Sequence, residues 1–288
     1  MNPKAFLSQH KFATFTVLTL VFSWSCWLPI LPAIQSDIFQ SSAGTLTLFF
    51  AGAYGPTLCA LVLSAYFDGT AGVKRLFQAR LSKSAALRWG LLVMLTGPLV
   101  YLVALTAFQF FGGELGTPNH GVLIWTPVIL LVSVFFGPLA EEFGWRGYAL
   151  PQLDLNQNFR RANVLLGVVW AGWHAPLFWA ATGTAISGMP VTVWSITMFV
   201  MAVIGSTVVY SWVFQRTNGS ILIAVLLHLS LNGAGTVSAW LFPDTSSAQK
   251  PLLYGAYVLS VWFVVGLISA LLHRHASLIQ TKTKTLKP

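Results

Sequence analysis

The sequence predicts an all-α, polytopic membrane protein: a bundle of about eight transmembrane helices around an intramembrane cavity open to the cytoplasm. Of its 288 residues, 56% are hydrophobic and only 8% are charged, and the mean hydropathy is +0.72. These values lie far from those of soluble domains. The apolar residues also form runs near the roughly 20 residues that a helix needs to cross a bilayer. We therefore expect one integral membrane domain over residues 1–288.

Eight apolar runs are long enough to span a membrane. They cover residues 12–34, 45–66, 88–112, 122–148, 162–181, 191–214, 219–241 and 252–272. The basic residues between them predict the orientation, because lysine and arginine concentrate in cytoplasmic loops. With a cytoplasmic N-terminus, fifteen of the sixteen fall on the cytoplasmic side, and Lys250 is the exception.

This distribution of charge predicts a multi-pass protein of the plasma, inner or ER-type membrane with both termini in the cytoplasm, including a basic tail over 273–288. It also accounts for the net charge of +9 through topology, so membrane lipid is expected around the protein and nucleic acid is not expected as a partner. The sequence does not specify an oligomeric state.

Two of the prolines within the predicted spans, Pro98 and Pro138, are expected to alter their helices. Pro98, preceded by Gly97, lies in the middle of the third span, where a proline predicts a packing kink. Pro138 lies three residues before Glu141 and deprives the carbonyl of Val134 of its usual donor, which predicts a break that re-aims the next turn. Irregular backbone at membrane depth is tolerated where it is buried in protein or lines a water-filled cavity. We therefore expect the carboxylates after Pro138 to face inward.

The segment 137–150 places two adjacent carboxylates beside an arginine within an apolar run. Charge at membrane depth is costly, so such groups are functional candidates by default. On a helix, Glu142 and Arg146 are four residues apart and can pair on one face. Glu141 lies about 100° further round the helix, so it is expected to face another helix.

Two later spans carry the remaining candidates. His174 is four residues after Trp170, so the two share a face, and Trp170 is expected to wall the cavity. His228 and Asn232 are also four residues apart on one face. The less specific interpretations are a structural Glu142–Arg146 pair and ordinary interhelical hydrogen bonds for the histidines and the asparagine.

Together these residues have the groups that hydrolysis in a dry cavity requires. Glu141 is predicted to be the base that activates water, since desolvation suits an unpaired carboxylate to accept a proton. His174 would orient water and relay its proton, and His228 with Asn232 would stabilise an oxyanion. Glu142 and Arg146 would support them.

A metal-assisted mechanism is equally open. Glu141, His174 and His228 could bind a divalent ion, with zinc the best suited, and leave one position for water. Glu142 and Asn232 would then support the ligands. Imidazole and carboxylate are not diagnostic of a metal, so the residues alone do not decide between the two mechanisms.

The ordered motifs Glu141-Glu142-x-x-x-Arg146, Trp170-x-x-x-His174 and His228-x-x-x-Asn232 resemble the CPBP intramembrane protease family, which includes the type II CAAX prenyl endopeptidases and bacteriocin-processing or immunity proteins. The resemblance covers roughly 127–235, the predicted catalytic core. It implies an eight-helix bundle that cleaves peptides near the membrane, with Glu141 as the catalytic acid–base. The family motif usually has Phe at the position of Trp170, and a larger ring is expected to narrow the cavity.

We therefore expect an intramembrane endopeptidase that acts on a membrane-associated peptide or lipidated protein, including prenylated CAAX substrates. The alternative from another class is a proton-coupled transporter that uses the same Glu and His residues as a relay. A non-enzymatic scaffold is the third interpretation.

Overall fold

The computed structural model describes residues 3–35, 37–78, 80–155, 157–181, 184, 186 and 189–285, with side chains to residue 272. Within these residues the regular structure is helical, and strands are not found. The α-helices, in chain order, are α1 (Pro3–Gln9), α2 (Lys11–Trp27), α3 (Ala43–Ala53), α4 (Gly55–Leu76), α5 (Lys83–Phe110), α6 (Val122–Ser133), α7 (Pro138–Glu142), α8 (Phe159–Trp173), α9 (Val193–Arg216), α10 (Ile221–Leu241) and α11 (Lys250–Thr285). The predicted all-α fold is confirmed.

In the described part of the chain, six helices are long and apolar enough to cross a membrane. The bent pair of α3 and α4, which meet at 53°, would make a seventh. The predicted span over 162–181 corresponds to α8, which has 15 residues and is therefore about 22 Å long. A 3₁₀ turn at Ala175–Trp179 follows it. The structure thus supports six or seven full spans, and the count of eight stays a prediction.

The outward faces of the long helices are apolar. On α5, Leu91, Leu95, Leu99 and Leu102 are 58–62% exposed, and their spacing of three to four residues aligns them along one side of the helix. A stripe of this kind is unfavourable in water and suits contact with lipid chains. The chain is therefore a multi-pass membrane protein.

Helix α10 lies at the centre of the bundle and packs against α5, α6, α7 and α9. It begins where the Ser220 hydroxyl caps the backbone N–H of Ile223 at 3.4 Å. The preceding Gly219 has a φ of +77°, a left-handed conformation that glycine adopts without steric cost. This turn brings α10 directly back from α9 and places His228 inside the bundle, with the exposed Asn232 one turn further along the helix.

The end of α8 is fixed against α2 by two tryptophans. The indole N–H of Trp173 donates to the hydroxyl of Ser23 at 2.8 Å, and that of Trp24 donates to the carbonyl of Trp173 at 3.0 Å. The rings of Trp27 and Trp173 also pack at a centroid distance of 4.8 Å. These contacts hold the last turn of α8, which carries Trp170 and leads to His174.

Candidate active site

The predicted break at Pro138 is present, between the end of α6 at Ser133 and the start of α7 at Pro138. The carbonyl of Val134 accepts instead from the N–H of Leu139, at 3.1 Å. The Tyr54 hydroxyl donates to the carbonyl of Phe135, at 3.0 Å, and the Thr57 hydroxyl to that of Leu139, also at 3.0 Å. The bend between α3 and α4 therefore supplies the donors that stabilise the break after α6.

After α7 the helix widens into a π-helical segment, Phe143–Ala149. Such segments are rare and often occur at functional sites. Here the segment carries Arg146, and its glycine Gly144 lies so close to Pro56 that an added Cβ would be 2.5 Å from the Pro56 carbonyl oxygen. The π segment is thus pressed directly against the start of α4.

Glu142 is the acceptor at the centre of a buried ion network. Its Oε1 atom accepts from Nη1 of Arg146 at 3.0 Å and lies 2.8 Å from Nδ1 of His228. The side chains of Glu142 and Arg146 are completely buried. The predicted Glu142–Arg146 pair is therefore formed, and the structure adds His228 as a second partner of the same oxygen.

The Arg146 guanidinium lies between two aromatic rings. Its central carbon is 4.2 Å from the ring centroid of Trp170 and 4.0 Å from that of Tyr210. Aromatic faces attract cations, and the attraction is stronger where water is excluded. Tyr210 also contacts the ring of His228 edge-to-face at 5.7 Å. The two rings thus provide an apolar but favourable environment for a charge at membrane depth.

Glu141 faces another helix, as its position on the helix predicts. Its Oε2 atom accepts from the indole N–H of Trp170 at 2.6 Å, and the residue is 6% exposed. Its other oxygen, Oε1, lies on the side of Gly137. The two oxygens of this carboxylate therefore have different surroundings.

Three polar side chains converge beside Gly137. A Cβ added to Gly137 would lie 3.1 Å from Nδ2 of Asn232, 3.5 Å from Nε2 of His228 and 3.7 Å from Oε1 of Glu141. Glycine leaves this space free, and a side chain would fill it. The structure thus brings together three of the four predicted catalytic residues.

The fourth, His174, lies at the edge of this group and is half-buried. Its Nδ1 atom is 2.9 Å from the carbonyl of Trp170, and a carbonyl can only accept, so Nδ1 carries the proton. When His174 is neutral, its Nε2 is consequently left free to accept a proton.

One side of the site is closed and the other is open. Glu142 and Arg146 are fully buried and His228 is 4% exposed, whereas Asn232 is exposed and His174 is partly buried. Asn232 and His174 are therefore the accessible members of the group, and the Glu142–Arg146 pair is closed off from the surface.

The described residues do not include a group of three His, Cys, Asp or Glu side chains placed to hold one metal ion. The predicted ligands Glu141, His174 and His228 are therefore not assembled around a common point, and the geometry as it stands does not fit a three-ligand zinc site. Zinc remains a prediction from the types of donor.

Several contributors to the site are absent from the sequence prediction. Tyr210 lies in a span without acidic or basic residues before Arg216, so nothing in that span indicates a polar site. Tyr54 and Thr57 act through hydroxyls on a distant bend. Trp170 was expected to wall a cavity, but its N–H and its ring face are both engaged by charged groups.

A buried polar centre held among lipid-facing helices defines the class: a polytopic helical membrane protein with an intramembrane polar site. Residues 123–234, which contain Glu141, His174, His228 and Asn232, match the family model described as Type II CAAX prenyl endopeptidase Rce1-like. Over these residues the chain is similar to that family, and the resemblance to the CPBP family that its motifs carry is confirmed.

A curated relative supports the same assignment. The chain is 28% identical over 130 residues to a protein named CAAX prenyl protease 2 from Methanococcus maripaludis. The match covers 45% of this chain and 45% of that relative, so it spans less than half the length of either protein.

Proposed function

We propose that this protein is an intramembrane endopeptidase that hydrolyses a peptide bond in a membrane-associated substrate. The observation that carries the proposal is the convergence of Glu141 Oε1, His228 Nε2 and Asn232 Nδ2 beside Gly137. A base and two potential oxyanion donors at one point are what peptide hydrolysis requires. The family match over 123–234 favours this chemistry over the other uses of the same residues.

In the proposed reaction, Glu141 accepts a proton from water as the water oxygen attacks the carbonyl carbon of the scissile bond. The oxyanion that forms accepts hydrogen bonds from the Asn232 amide and, when His228 carries its second proton, from its Nε2–H. The C–N bond then breaks, and the amine leaves with the proton from Glu141. His174 orients the water and exchanges protons with the open side.

Glu142 and Arg146 support this reaction without contacting the substrate. Glu142 accepts from Nδ1 of His228 at 2.8 Å, which fixes the ring orientation with Nε2 beside Gly137. Arg146 compensates the charge of Glu142 in a dry environment. A buried carboxylate without such partners would be strongly destabilising.

For the substrate we propose peptides held at the membrane by a lipid, with prenylated CAAX proteins as the first class to test. The relative from Methanococcus maripaludis carries this class in its name, and the site lies within apolar helices. A lipid-anchored peptide would be concentrated at the bilayer and would reach Asn232 and His174 from the open side. We further propose that both termini are cytoplasmic, which proteolysis of tags in sealed vesicles would test.

The test uses purified protein reconstituted in vesicles with three fluorogenic peptides: a farnesylated CAAX peptide, its non-prenylated counterpart and a peptide with an unrelated transmembrane anchor. We expect cleavage of the lipidated peptide by the wild type. Glu141→Gln should reduce kcat by about 10³-fold or more with an unchanged melting temperature. Glu114→Gln, at an exposed acid, is the matched control and should retain activity.

Two results would contradict the proposal. Retained cleavage by Glu141→Gln would remove this residue from the chemistry. Proton or solute flux that depends on His174 and His228, without a peptide product, would favour a transporter.

The mechanism has a metal-free and a zinc-assisted form. In the zinc-assisted form, Glu141, His174 and His228 would hold the ion and the metal would polarise the water or carbonyl. The side chains would have to move together, because the described residues hold no three-ligand group. Metal analysis of the purified protein with chelation and re-addition of zinc separates the forms: full activity after complete metal removal supports the metal-free one.

A further inference from the structure

The mechanism above uses the two glutamates, the two histidines and Asn232, and it leaves Trp170 without a role. Trp170 is nevertheless 6% exposed and makes the shortest polar contact of the site, from its indole N–H to Oε2 of Glu141 at 2.6 Å. Hydrogen bonds to an ionised acceptor are short and roughly twice as strong as neutral ones. This contact therefore constrains the carboxylate of Glu141.

The same indole contacts the second charged pair of the site. Its ring face lies 4.2 Å from the guanidinium carbon of Arg146, and Arg146 is bonded to Glu142. A cation over the ring draws electron density from the indole and strengthens its N–H as a donor. Trp170 thus connects the paired carboxylate, Glu142, with the reacting carboxylate, Glu141.

A glutamate carboxyl group can rotate about its last side-chain bond, and that torsion is broad and roughly two-fold. A strong donor on Oε2 removes this freedom. It leaves Oε1 on the side where Asn232 Nδ2 and His228 Nε2 converge beside Gly137. The active oxygen is then already in position before substrate arrives, which is the main source of rate in a preorganised site.

We propose that Trp170 is a positioning residue that holds Glu141 through Oε2 so that Oε1 faces the reacting groups. The inference rests on the proposed peptidase function for its kinetic consequence but not for the contact itself. It assigns to the indole a function that a phenyl ring cannot perform, because phenylalanine has a similar face but no N–H donor.

The contact is tested first by a measurement that does not need activity. In protein labelled with ¹⁵N-tryptophan, the indole signal of Trp170 is assigned by its loss in Trp170→Phe. We expect its proton resonance to lie far downfield in the wild type and to move upfield in Glu141→Gln. The signal of Trp262, whose N–H donates to the carbonyl of Met201 at 3.0 Å, should not move.

The positioning role is tested by kinetics on the lipidated peptide. Trp170→Phe should lower kcat by about 10-fold to 100-fold and leave KM within about two-fold, because only the orientation of the base is lost. Trp262→Phe makes the same chemical change far from the site and should retain both constants.

An indole signal of Trp170 that does not respond to Glu141→Gln would overturn the proposal, as would an unchanged kcat in a folded Trp170→Phe. If the wild type cleaves none of the peptides, the proposed function is wrong. The indole proton resonance of Trp170 still shows whether its hydrogen bond to Glu141 is formed. If Trp170→Phe does not fold, the signal of Trp170 is assigned by its loss in Trp170→Tyr, and the comparison with Glu141→Gln stands.

Discussion

Two Gly-Pro pairs interrupt two different helices of the bundle, and both face α10. Gly97-Pro98 lies within α5 and Gly137-Pro138 lies at the start of α7. Both prolines lack the N–H that would complete the helix before them. The first pair gives a continuous, packed helix, and the second gives a break with two carboxylates behind it.

At the first pair, a side chain of α10 replaces the hydrogen bond that the proline removes from α5. The Ser230 hydroxyl donates to the carbonyl of Met94 at 2.8 Å, which is the acceptor that Pro98 leaves without its donor. The same oxygen accepts from the N–H of Gly97 at 2.9 Å. One side chain thus satisfies both the carbonyl of Met94 and the N–H of Gly97, and α5 continues to Phe110.

At the second pair, α10 does not repair the interruption. The carbonyl of Val134 accepts from the N–H of Leu139. The carbonyls of Phe135 and Leu139 accept from Tyr54 and Thr57, which belong to the bend between α3 and α4. Helix α10 presents His228 and Asn232 instead of a bridging hydroxyl. In this molecule, the break beside the site is the one where a third element, the bend between α3 and α4, supplies hydroxyl donors to the backbone. Helix α10 does not have to supply a bridging hydroxyl there.

The largest effect on folding is expected at Gly97. A Cβ there would lie 2.0 Å from the carbonyl oxygen of Ser230, so α5 and α10 would have to separate. Gly97→Ala should lower the free energy of unfolding by about 3 kcal/mol, measured by thermal or denaturant unfolding in detergent. Gly266→Ala, with no neighbour within 4 Å of its Cβ, is the control and should be neutral or slightly stabilising. If the two variants had the same free energy of unfolding, close packing at Gly97 would be refuted.

The largest effect on activity among these backbone positions is expected at Gly137. The nearest atom to an added Cβ is Nδ2 of Asn232 at 3.1 Å, which is a mobile amide and not backbone. Gly137→Ala should therefore fold with nearly the wild-type melting temperature and lose about 100-fold in kcat/KM on the lipidated peptide. A stable variant with full activity would show that the space beside Gly137 is not where the reaction occurs.

A smaller effect is expected at Ser230. Ser230→Ala leaves the buried carbonyl of Met94 without a donor and should cost about 2 kcal/mol of stability. Adding Pro98→Ala restores an N–H at position 98 that can donate to this carbonyl, so the double variant should regain most of the loss. Additive losses in this double-mutant cycle would contradict the assigned repair.

The smallest effects are expected at the hydroxyls that stabilise the break. Tyr54→Phe and Thr57→Val each remove one donor to a carbonyl and should cost about 1 kcal/mol. They should also lower kcat several-fold, because the break positions Glu141. Ser269→Ala is the control, since its hydroxyl bonds a carbonyl within its own helix at 2.8 Å. A control that loses as much as either variant would argue against a special role for the bend.

The features that could be predicted from the sequence are those that depend on residues close to one another in the chain. Glu142 and Arg146 form their four-residue pair, Glu141 faces a different helix, and Pro138 breaks the span. Periodicity and helix geometry determine each of these results.

The remaining features depend on contacts between distant segments. His228 and Glu142 are 86 residues apart, and the direction of the Trp170 N–H follows from the packing of α8 against α9. The sequence does not predict the contact of Tyr210 with Arg146, because a tyrosine in an apolar span usually indicates packing. The count of eight spans stays a prediction, since α8 ends at Trp173 and hydropathy does not reveal a helix that stops within an apolar run.

The burial of Arg146 between two rings has a consequence for how the protein responds to salt. Dissolved ions weaken electrostatic attraction only where they can enter, and the guanidinium and its carboxylate have no exposed surface. Added salt should therefore leave turnover of the bound peptide unchanged, even when it alters how readily a charged peptide is captured from solution. A titration with sodium chloride would thus separate two steps of the catalytic cycle. The rate of substrate capture should depend on salt concentration, and the rate of the chemical step should not.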